Sequence, residues 1–122
     1  MNRVRYTAAA LIRVTCIIRP HKLEQVKTAV ASLGVSGMNV ADVRGCGNSP
    51  EKVNWFAGEE HLVALPIKAK IEVVVPDELA ESLVAAILEH ARTGEPGDGK
   101  IFLERVDDAV RIRTRERGDI AI

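Results

Sequence analysis

Aromatic residues are scarce in this chain: its 122 residues include one Trp, one Tyr and two Phe, although 47% of the sequence is hydrophobic. A chain of this length can form one compact domain, and its core must be built from Val, Ile, Leu and Ala side chains. The chain also lacks an excess charge, since 17 Lys and Arg residues balance 17 Asp and Glu residues. This balance argues against a nucleic-acid binder, which is normally basic overall, but it allows a local anion site.

Cysteines and long apolar runs are scarce as well. Cys16 lies in an apolar run and is predicted to be a small buried hydrophobe, whereas Cys46 stands between two glycines, where a plain free thiol is favoured over a redox or metal role. No apolar run is long enough to cross a membrane, and the one near the N-terminus is interrupted by Arg13. We therefore expect a flexible tail at residues 1–10, a cytoplasmic location, no membrane insertion and no metal.

Hydrophobic periodicity predicts the secondary structure. The predicted strands are 11–19, 38–45, 62–75 and 100–106, with a short basic edge strand at 109–114 where apolar residues alternate with arginines. One helix follows Pro20, carries an apolar stripe (Leu23, Val26, Val30 and Leu33) and stops at Gly34, and a second follows Pro76. The order predicts an α+β fold, a ferredoxin-like βαββαβ sandwich in residues 11–122. Because the third and fourth strands carry consecutive apolar residues, the sheet face without helices needs a partner, and we expect an oligomer.

A long polar loop, residues 47–64, separates the second and third predicted strands and has neither strand nor helix periodicity. In so small a domain a loop of this length is usually functional. Its Trp55 and Phe56 form an aromatic pair, which could anchor a partner protein. They could equally form a clasp that folds the loop onto itself when a ligand binds, and the sequence does not rank these two roles.

The stretch TGEPGDGKIF, residues 93–102, places three glycines beside one lysine. Gly94, Gly99 and Lys100 fit the G-x-x-x-x-G-K spacing of a phosphate-binding loop, in which backbone N–H groups converge on phosphate and the lysine adds a charge. Ile101, however, occupies the position of the Mg²⁺-binding Ser or Thr, and the loop connects a helix to a strand instead of a strand to a helix. This is therefore not the loop of a P-loop nucleotide hydrolase. A phosphate site at residues 93–100 and a plain connecting turn remain as alternatives.

Five segments together resemble the PII signal-transduction family. They are RPHKLEQVKTAV (19–30), GMNVADVRGCG (37–47), KAKIEVVVPDELAESLVAAI (68–87), ARTGEPGDGKIFLERV (91–106) and VRIRT (110–114). The pairing of TGxxGDGKIF with RIRTxE is specific, and the resemblance covers nearly the whole chain beyond the first ten residues. It implies a homotrimer of ferredoxin-like subunits that bind adenine nucleotides in the clefts between neighbours. It also implies that the loop 47–64 is the family's T-loop, which changes shape with ligands and docks onto target proteins.

The resemblance assigns nucleotide contacts to three regions. They are Gly97, Asp98, Gly99 and Lys100 in the glycine-rich loop, Arg111 and Arg113 from the adjacent subunit, and Ile17, Met38, Gly45, Cys46 and Gly47 around the adenine and the start of the T-loop. In a strand at 109–114 both guanidiniums would project from one face, and the planar guanidinium can bond phosphate bidentately. A solvated basic edge is the alternative reading of that strand.

The sequence departs from the family pattern at the start of the T-loop, where Asn48-Ser49 replace Arg-Gln. The resemblance implies the loss of one phosphate contact and one Mg²⁺ ligand, which removes the usual advantage of ATP over ADP or AMP and weakens the basis for 2-oxoglutarate sensing. His61 replaces the tyrosine that many members modify by uridylylation. Lys68, which pairs with the 2-oxoglutarate carboxylate in the family, is retained and with the flexible Gly58 suggests a smaller anion. A surface charge at a strand end is the alternative reading of Lys68.

This pattern resembles the divergent PII-like branch associated with carboxysomes and bicarbonate transporters. The expected function is a non-enzymatic sensor of ADP, AMP or ATP and bicarbonate, without a cofactor, that signals through the T-loop to a bicarbonate transporter or a carboxysome component. One alternative is a nitrogen-regulatory PII protein sensing ATP and 2-oxoglutarate. Others are a slow nucleotide hydrolase that recruits Glu59, Glu60 or His61, and a purely structural trimer that binds no nucleotide.

Overall fold

The computed structural model describes residues 10–45 and 65–122. Within them the chain forms β1 (Leu11–Ile18), α1 (Leu23–Ala31), β2 (Asn39–Arg44), β3 (Ile67–Pro76), α2 (Asp77–Ala91) and β4 (Gly99–Val106), with short 3-10 segments at Pro20–Lys22 and Gly118–Ala121. The strand order is β2-β3-β1-β4, and every neighbouring pair is antiparallel. This is the ferredoxin-like βαββαβ arrangement, so the predicted fold class is confirmed. In the part of the chain described, no helix is long and apolar enough to cross a membrane.

The strand β1 lies at the centre of the sheet and carries the core. Its residue Cys16 is opposite Ile71 of β3 on one side and opposite Ile101 of β4 on the other. Alternate β1 side chains, Val14, Cys16 and Ile18, are buried, as expected for one face of a pleated strand. The prediction that Cys16 is a core hydrophobe is confirmed. Burial raises the pKa of its thiol to about 11, and a hydrogen bond with the Ile71 backbone acts in the opposite direction.

Both helices cover the same sheet face. Helix α1 buries Val26 and Val30, and α2 buries Ala80, Leu83, Ile87 and Ala91. Leu33 also packs on this core, although α1 ends two residues before it. Gly34 follows with φ at +82°, and its N–H donates to the Ala31 carbonyl at 3.0 Å, so the predicted glycine stop is confirmed.

Pro66 sets the start of β3 later than predicted. The predicted strand began at residue 62, but β3 begins at Ile67, with Leu65 and Pro66 outside it, and residues 62–64 lie outside the described part of the chain. Proline has no N–H for a strand ladder, so it suits a position just before a strand. Its carbonyl accepts the N–H of Gly45 at 3.2 Å, which joins the two residues that flank the T-loop region.

The predicted edge strand at 109–114 is wrong. Residues 112–114 form a turn, and Val110 makes an isolated bridge to Arg117. The segment pairs with itself, since the Arg111 N–H donates to the Glu116 carbonyl at 2.8 Å. The alternation that predicted a strand does not reflect burial within the subunit, because Ile112 is 95% exposed. We call residues 110–117 the basic turn.

Candidate functional site

The glycine-rich loop, residues 93–100, depends on left-handed backbone. Gly94, Gly97 and Gly99 have φ angles of +92°, +100° and +103°. Helix α2 ends at Ala91, and the extended Arg92 leads the chain into the loop. A Cβ atom at Gly99 would stand 1.7 Å from the Ile17 carbonyl oxygen, so the loop passes β1 too closely for any other residue. The glycines that suggested a phosphate-binding loop are therefore required by its conformation.

The carboxylate of Asp98 lies at the centre of this loop. Its Oδ2 atom accepts the N–H groups of Thr93 and Gly94 at 2.8 and 2.9 Å. Its Oδ1 atom accepts the Thr93 hydroxyl and, at 3.0 Å, the Nε–H of Arg19. Burial raises the pKa of Asp98, but the hydrogen bonds from Thr93, Gly94 and Arg19 together outweigh it and hold the pKa well below its usual range. The carboxylate is therefore ionised, and both of its oxygens are engaged by the loop and Arg19.

Arg19 ties the loop to the end of β1. Besides its ion pair with Asp98, its Nη2 atom donates to the Pro96 carbonyl at 2.7 Å. Arg19 was not among the site residues predicted from the sequence. In the sequence, Arg19 is marked only by its position between the first predicted strand and Pro20. That position does not distinguish an arginine that contacts the loop from one that is exposed at the surface.

Lys68 also reaches the glycine-rich loop. Its ammonium donates to the Gly97 carbonyl at 2.7 Å, and the residue is only 6% exposed. The alternative reading of Lys68 as a surface charge is therefore wrong. The structure brings the predicted anion ligand into contact with the predicted phosphate loop, and its role as an anion ligand stays a prediction.

The two residues predicted to line the adenine pocket lie in different places. Ile17 is opposite Lys100 in the β1–β4 register, and it alternates with Cys16 and Ile18, which face the helices. Met38 packs against the core on the helix side of the sheet. Within one subunit the structure therefore brings Ile17 to Lys100 but not to Met38. A nucleotide role for each of them stays a prediction.

The basic turn holds the two predicted phosphate-binding arginines in unequal settings. Arg111 is half-buried, and its Nη1 atom pairs with Glu116 Oε1 at 3.0 Å, an oxygen that also accepts the Thr114 hydroxyl at 2.7 Å. Arg113 is exposed in the turn. The two guanidiniums do not share a strand face as predicted, because the segment is a turn. They remain two residues apart on one exposed element, and their phosphate contacts stay a prediction.

Several predicted site residues lie outside the described residues: Cys46, Gly47, Trp55, Phe56 and Gly58, with the rest of the T-loop. Gly45 is the last described residue before them. In residues 10–45 and 65–122, no group of His, Cys, Asp and Glu side chains could hold a metal ion.

A groove of about 470 Å³ between α2 and β4 adjoins the glycine-rich loop, with Leu88 and Leu103 on its walls. Leu88 is 51% exposed on this groove.

These features define a small ferredoxin-like domain with a glycine-rich loop between its second helix and last strand. The family model "Nitrogen regulatory protein P-II" matches residues 11–116, so the chain belongs to the PII family of signal-transduction proteins. The resemblance inferred from the sequence is thus confirmed. The predicted homotrimer is consistent with membership of the PII family.

Individual relatives support the assignment. The nitrogen regulatory protein P-II of Haemophilus influenzae is 43% identical over 110 residues, which cover 90% of this chain and 98% of the relative. P-II 2 of Methanothermobacter thermautotrophicus is 45% identical over 109 residues, covering 89% and 95%. Among solved structures, Arabidopsis thaliana PII bound to citrate has a TM-score of 0.76 at 38% identity, covering 93% of this chain and 94% of that one. The B. subtilis GlnK–ATP complex has a TM-score of 0.78 at 28% identity, covering 95% and 99%. These names are nitrogen-regulatory or general, so the carboxysome-associated branch stays a prediction.

Proposed function

We propose that this protein is a non-enzymatic sensor that binds an adenine nucleotide between the subunits of a homotrimer. The observation that carries the proposal is the glycine-rich loop, in which three left-handed glycines and a carboxylate-centred network precede Lys100. Backbone N–H groups in such a loop can converge on a phosphate, and a lysine adds a point charge. The related B. subtilis GlnK was solved with ATP, which supports an adenine nucleotide as the ligand here.

The basic turn is proposed to complete the site from the neighbouring subunit. It carries Arg111 and Arg113, and Ile112 between them is 95% exposed within one subunit. An apolar residue so exposed, flanked by cations, suits a contact with another subunit that carries a bound phosphate. Nucleotide binding would then depend on the trimer.

A small anion, bicarbonate, is proposed as the second ligand, bound beside Lys68. A buried ammonium is costly unless it is well solvated by polar partners, and the Gly97 carbonyl at 2.7 Å is one of them. An anion at Lys68 would therefore sit next to the glycine-rich loop, so that each ligand changes the surroundings of the other. With Asn48-Ser49 in place of Arg-Gln, we propose that these ligands bias the T-loop and that a bicarbonate transporter or a carboxysome component responds to it.

Nitrogen regulation is the second candidate function. It is favoured by the names of the relatives, which at 42–45% identity are nitrogen regulatory proteins. In this case Lys68 would receive the carboxylate of 2-oxoglutarate, and ATP would be the nucleotide. The two functions differ in the anion that cooperates with the nucleotide, so a binding experiment separates them.

The test is calorimetric titration of the purified protein with ADP and with ATP, each alone, with bicarbonate and with 2-oxoglutarate. Sodium chloride at equal ionic strength, in buffer of the same pH, controls for salt. Tighter ADP binding with bicarbonate alone is the expected result. Tighter ATP binding with 2-oxoglutarate alone would establish nitrogen regulation instead, and no nucleotide binding in any condition would leave a structural trimer. Phosphate release in the same samples would revive the hydrolase alternative.

A further inference from the structure

A carboxylate stands in the middle of the predicted phosphate loop, where its charge has the wrong sign for a phosphate ligand. The geometry gives the Asp98 carboxylate other partners: the N–H groups of Thr93 and Gly94, the Thr93 hydroxyl and the Arg19 guanidinium. Four donors from three residues converge on its two oxygens. This arrangement closes the loop on itself, because it joins Thr93 at the start of the loop to Asp98 near its end.

Two carbonyls of the loop also accept hydrogen bonds from cationic side chains. The Pro96 carbonyl accepts from Arg19 at 2.7 Å, and the Gly97 carbonyl accepts from Lys68 at 2.7 Å. In a trans peptide the N–H group points away from the carbonyl of the same peptide unit. The N–H groups of Gly97 and Asp98, which belong to these two peptide units, therefore point away from Arg19 and Lys68. Arg19 and Lys68 thus hold these two carbonyls, and the N–H group of each of the two peptide units points away from the cation that its carbonyl contacts.

We propose that Asp98 and Arg19 are positioning residues, which hold the glycine-rich loop in its phosphate-receiving shape before a nucleotide arrives. The proposal rests on nucleotide binding, the function proposed above. In it Asp98 contributes its backbone N–H to the phosphate, whereas its side chain serves the loop. Affinity then depends on preorganisation, because a loop that must first be ordered binds its ligand more weakly.

The competing view is that Asp98 is simply one more charge near the ligand, and the two views predict effects of opposite sign. Replacing Asp98 by Asn removes a negative charge, so electrostatics alone predicts tighter binding of ADP. The same replacement turns charge-assisted acceptors into a neutral amide that cannot accept at both atoms, so loss of positioning predicts weaker binding.

The experiment compares ADP titrations of the wild-type protein with those of Asp98→Asn, Thr93→Val and Glu95→Gln. Asp98→Asn is expected to weaken ADP binding about tenfold, which corresponds to the loss of one charge-assisted hydrogen bond. Thr93→Val, which changes no charge, is expected to weaken it by a smaller factor. Glu95→Gln is the matched control, since Glu95 is exposed on the same loop and carries the same charge. It should leave affinity unchanged or slightly tighter.

Amide hydrogen exchange in the nucleotide-free proteins provides the second readout. The N–H groups of Thr93 and Gly94 should exchange faster in Asp98→Asn than in the wild-type protein or in Glu95→Gln, while thermal unfolding shows that each variant is folded. If Asp98→Asn does not fold, Thr93→Val carries the same test without a change of charge. Equal or tighter ADP binding by a folded Asp98→Asn variant would overturn the inference alone. Absence of ADP binding by the wild-type protein would overturn the proposed function, and the inference with it.

Discussion

The ammonium of Lys68 on β3 donates to the carbonyl of Gly97 in the glycine-rich loop, at 2.7 Å and across 29 positions of sequence. This contact joins the strand that follows the T-loop region to the loop proposed to receive phosphate. Any ligand that engages Lys68 must share it with Gly97 or draw it away. The two proposed ligand sites are therefore in direct physical contact, and their affinities should be linked.

Replacing Lys68 by Met should abolish the effect of bicarbonate on ADP binding. The variant removes the cation proposed to hold the anion but keeps the length and apolar stem of the side chain. ADP should still bind, more weakly than to the wild-type protein, because the Gly97 carbonyl loses its donor. The measurement is ADP titration with and without bicarbonate at constant ionic strength.

Lys70→Met is the control for this experiment, since Lys70 lies two residues further along the same strand. It should retain the bicarbonate effect. A Lys68→Met variant that still responds to bicarbonate would show that the anion binds elsewhere.

Replacing Gly99 by Ala should destabilise the protein strongly. The added Cβ would stand 1.7 Å from the Ile17 carbonyl oxygen, and the φ of +103° is unfavourable for any L side chain. Because the backbone must move, we expect a loss of at least about 2 kcal/mol in the free energy of unfolding, measured by chemical denaturation.

Gly34→Ala is the control that separates the effect of the steric clash on stability from the effect of the left-handed backbone conformation. Gly34 also has a positive φ, +82°, but a Cβ there meets nothing within 4 Å. Its cost should be that of a left-handed backbone alone, about 1 kcal/mol. Equal losses for the two variants would mean that the close approach of Gly99 to β1 adds nothing.

The sequence predicted the elements whose pattern reflects burial inside the subunit. In β1, residues that alternate in hydrophobicity also alternate between the helix side and the opposite face, because a pleated strand between two neighbours leaves no other arrangement. The stop of α1 at Gly34 was predictable because it depends on local backbone geometry. The basic turn was not, since the alternation of Val110 and Ile112 with arginines does not reflect burial in the subunit.

The hydrogen-bond network around the glycine-rich loop could not be predicted from the sequence either. The glycines and Lys100 were visible as a motif, but Arg19 contacts the Pro96 carbonyl across 77 positions of sequence. Such a contact exists only because β4 returns beside β1 and places the loop at the end of that strand. No local spacing encodes it. Asp98 was therefore grouped with the phosphate ligands, although its carboxylate belongs to the loop's internal hydrogen bonds.

Acid should destabilise the wild-type protein through Asp98. The hydrogen bonds described above hold the pKa of this carboxyl below its usual range, so its folded pKa is lower than its unfolded pKa of about 3.9. Such a group contributes stability that is present above the unfolded pKa and is lost as the pH falls towards the folded pKa. Between pH about 5 and 2 the wild-type protein should lose more stability than Asp98→Asn, as measured by urea denaturation. Parallel curves for the two proteins would contradict this role of Asp98.

Replacing Arg115 by Gly should stabilise the nucleotide-free protein slightly. Arg115 has a φ of +65°, and it is the only residue other than glycine with a positive φ among the residues that the structure describes. Relief of this backbone strain should raise the free energy of unfolding by about 1–2 kcal/mol. The greater conformational freedom of glycine in the unfolded chain should lower it by up to about 1 kcal/mol. A net gain of about 0.5 kcal/mol in the free energy of unfolding is therefore expected, measured by denaturation at a salt concentration that screens surface charge. The control is Arg113→Gly on the same turn. It removes the same charge at a position whose φ is not positive, so it should destabilise the protein.

A loss of stability in Arg115→Gly equal to that in Arg113→Gly would show that the left-handed backbone at Arg115 is unstrained. A gain in the first variant and a loss in the second would mean that the basic turn retains an arginine where glycine would be more stable, as expected if its guanidinium serves binding.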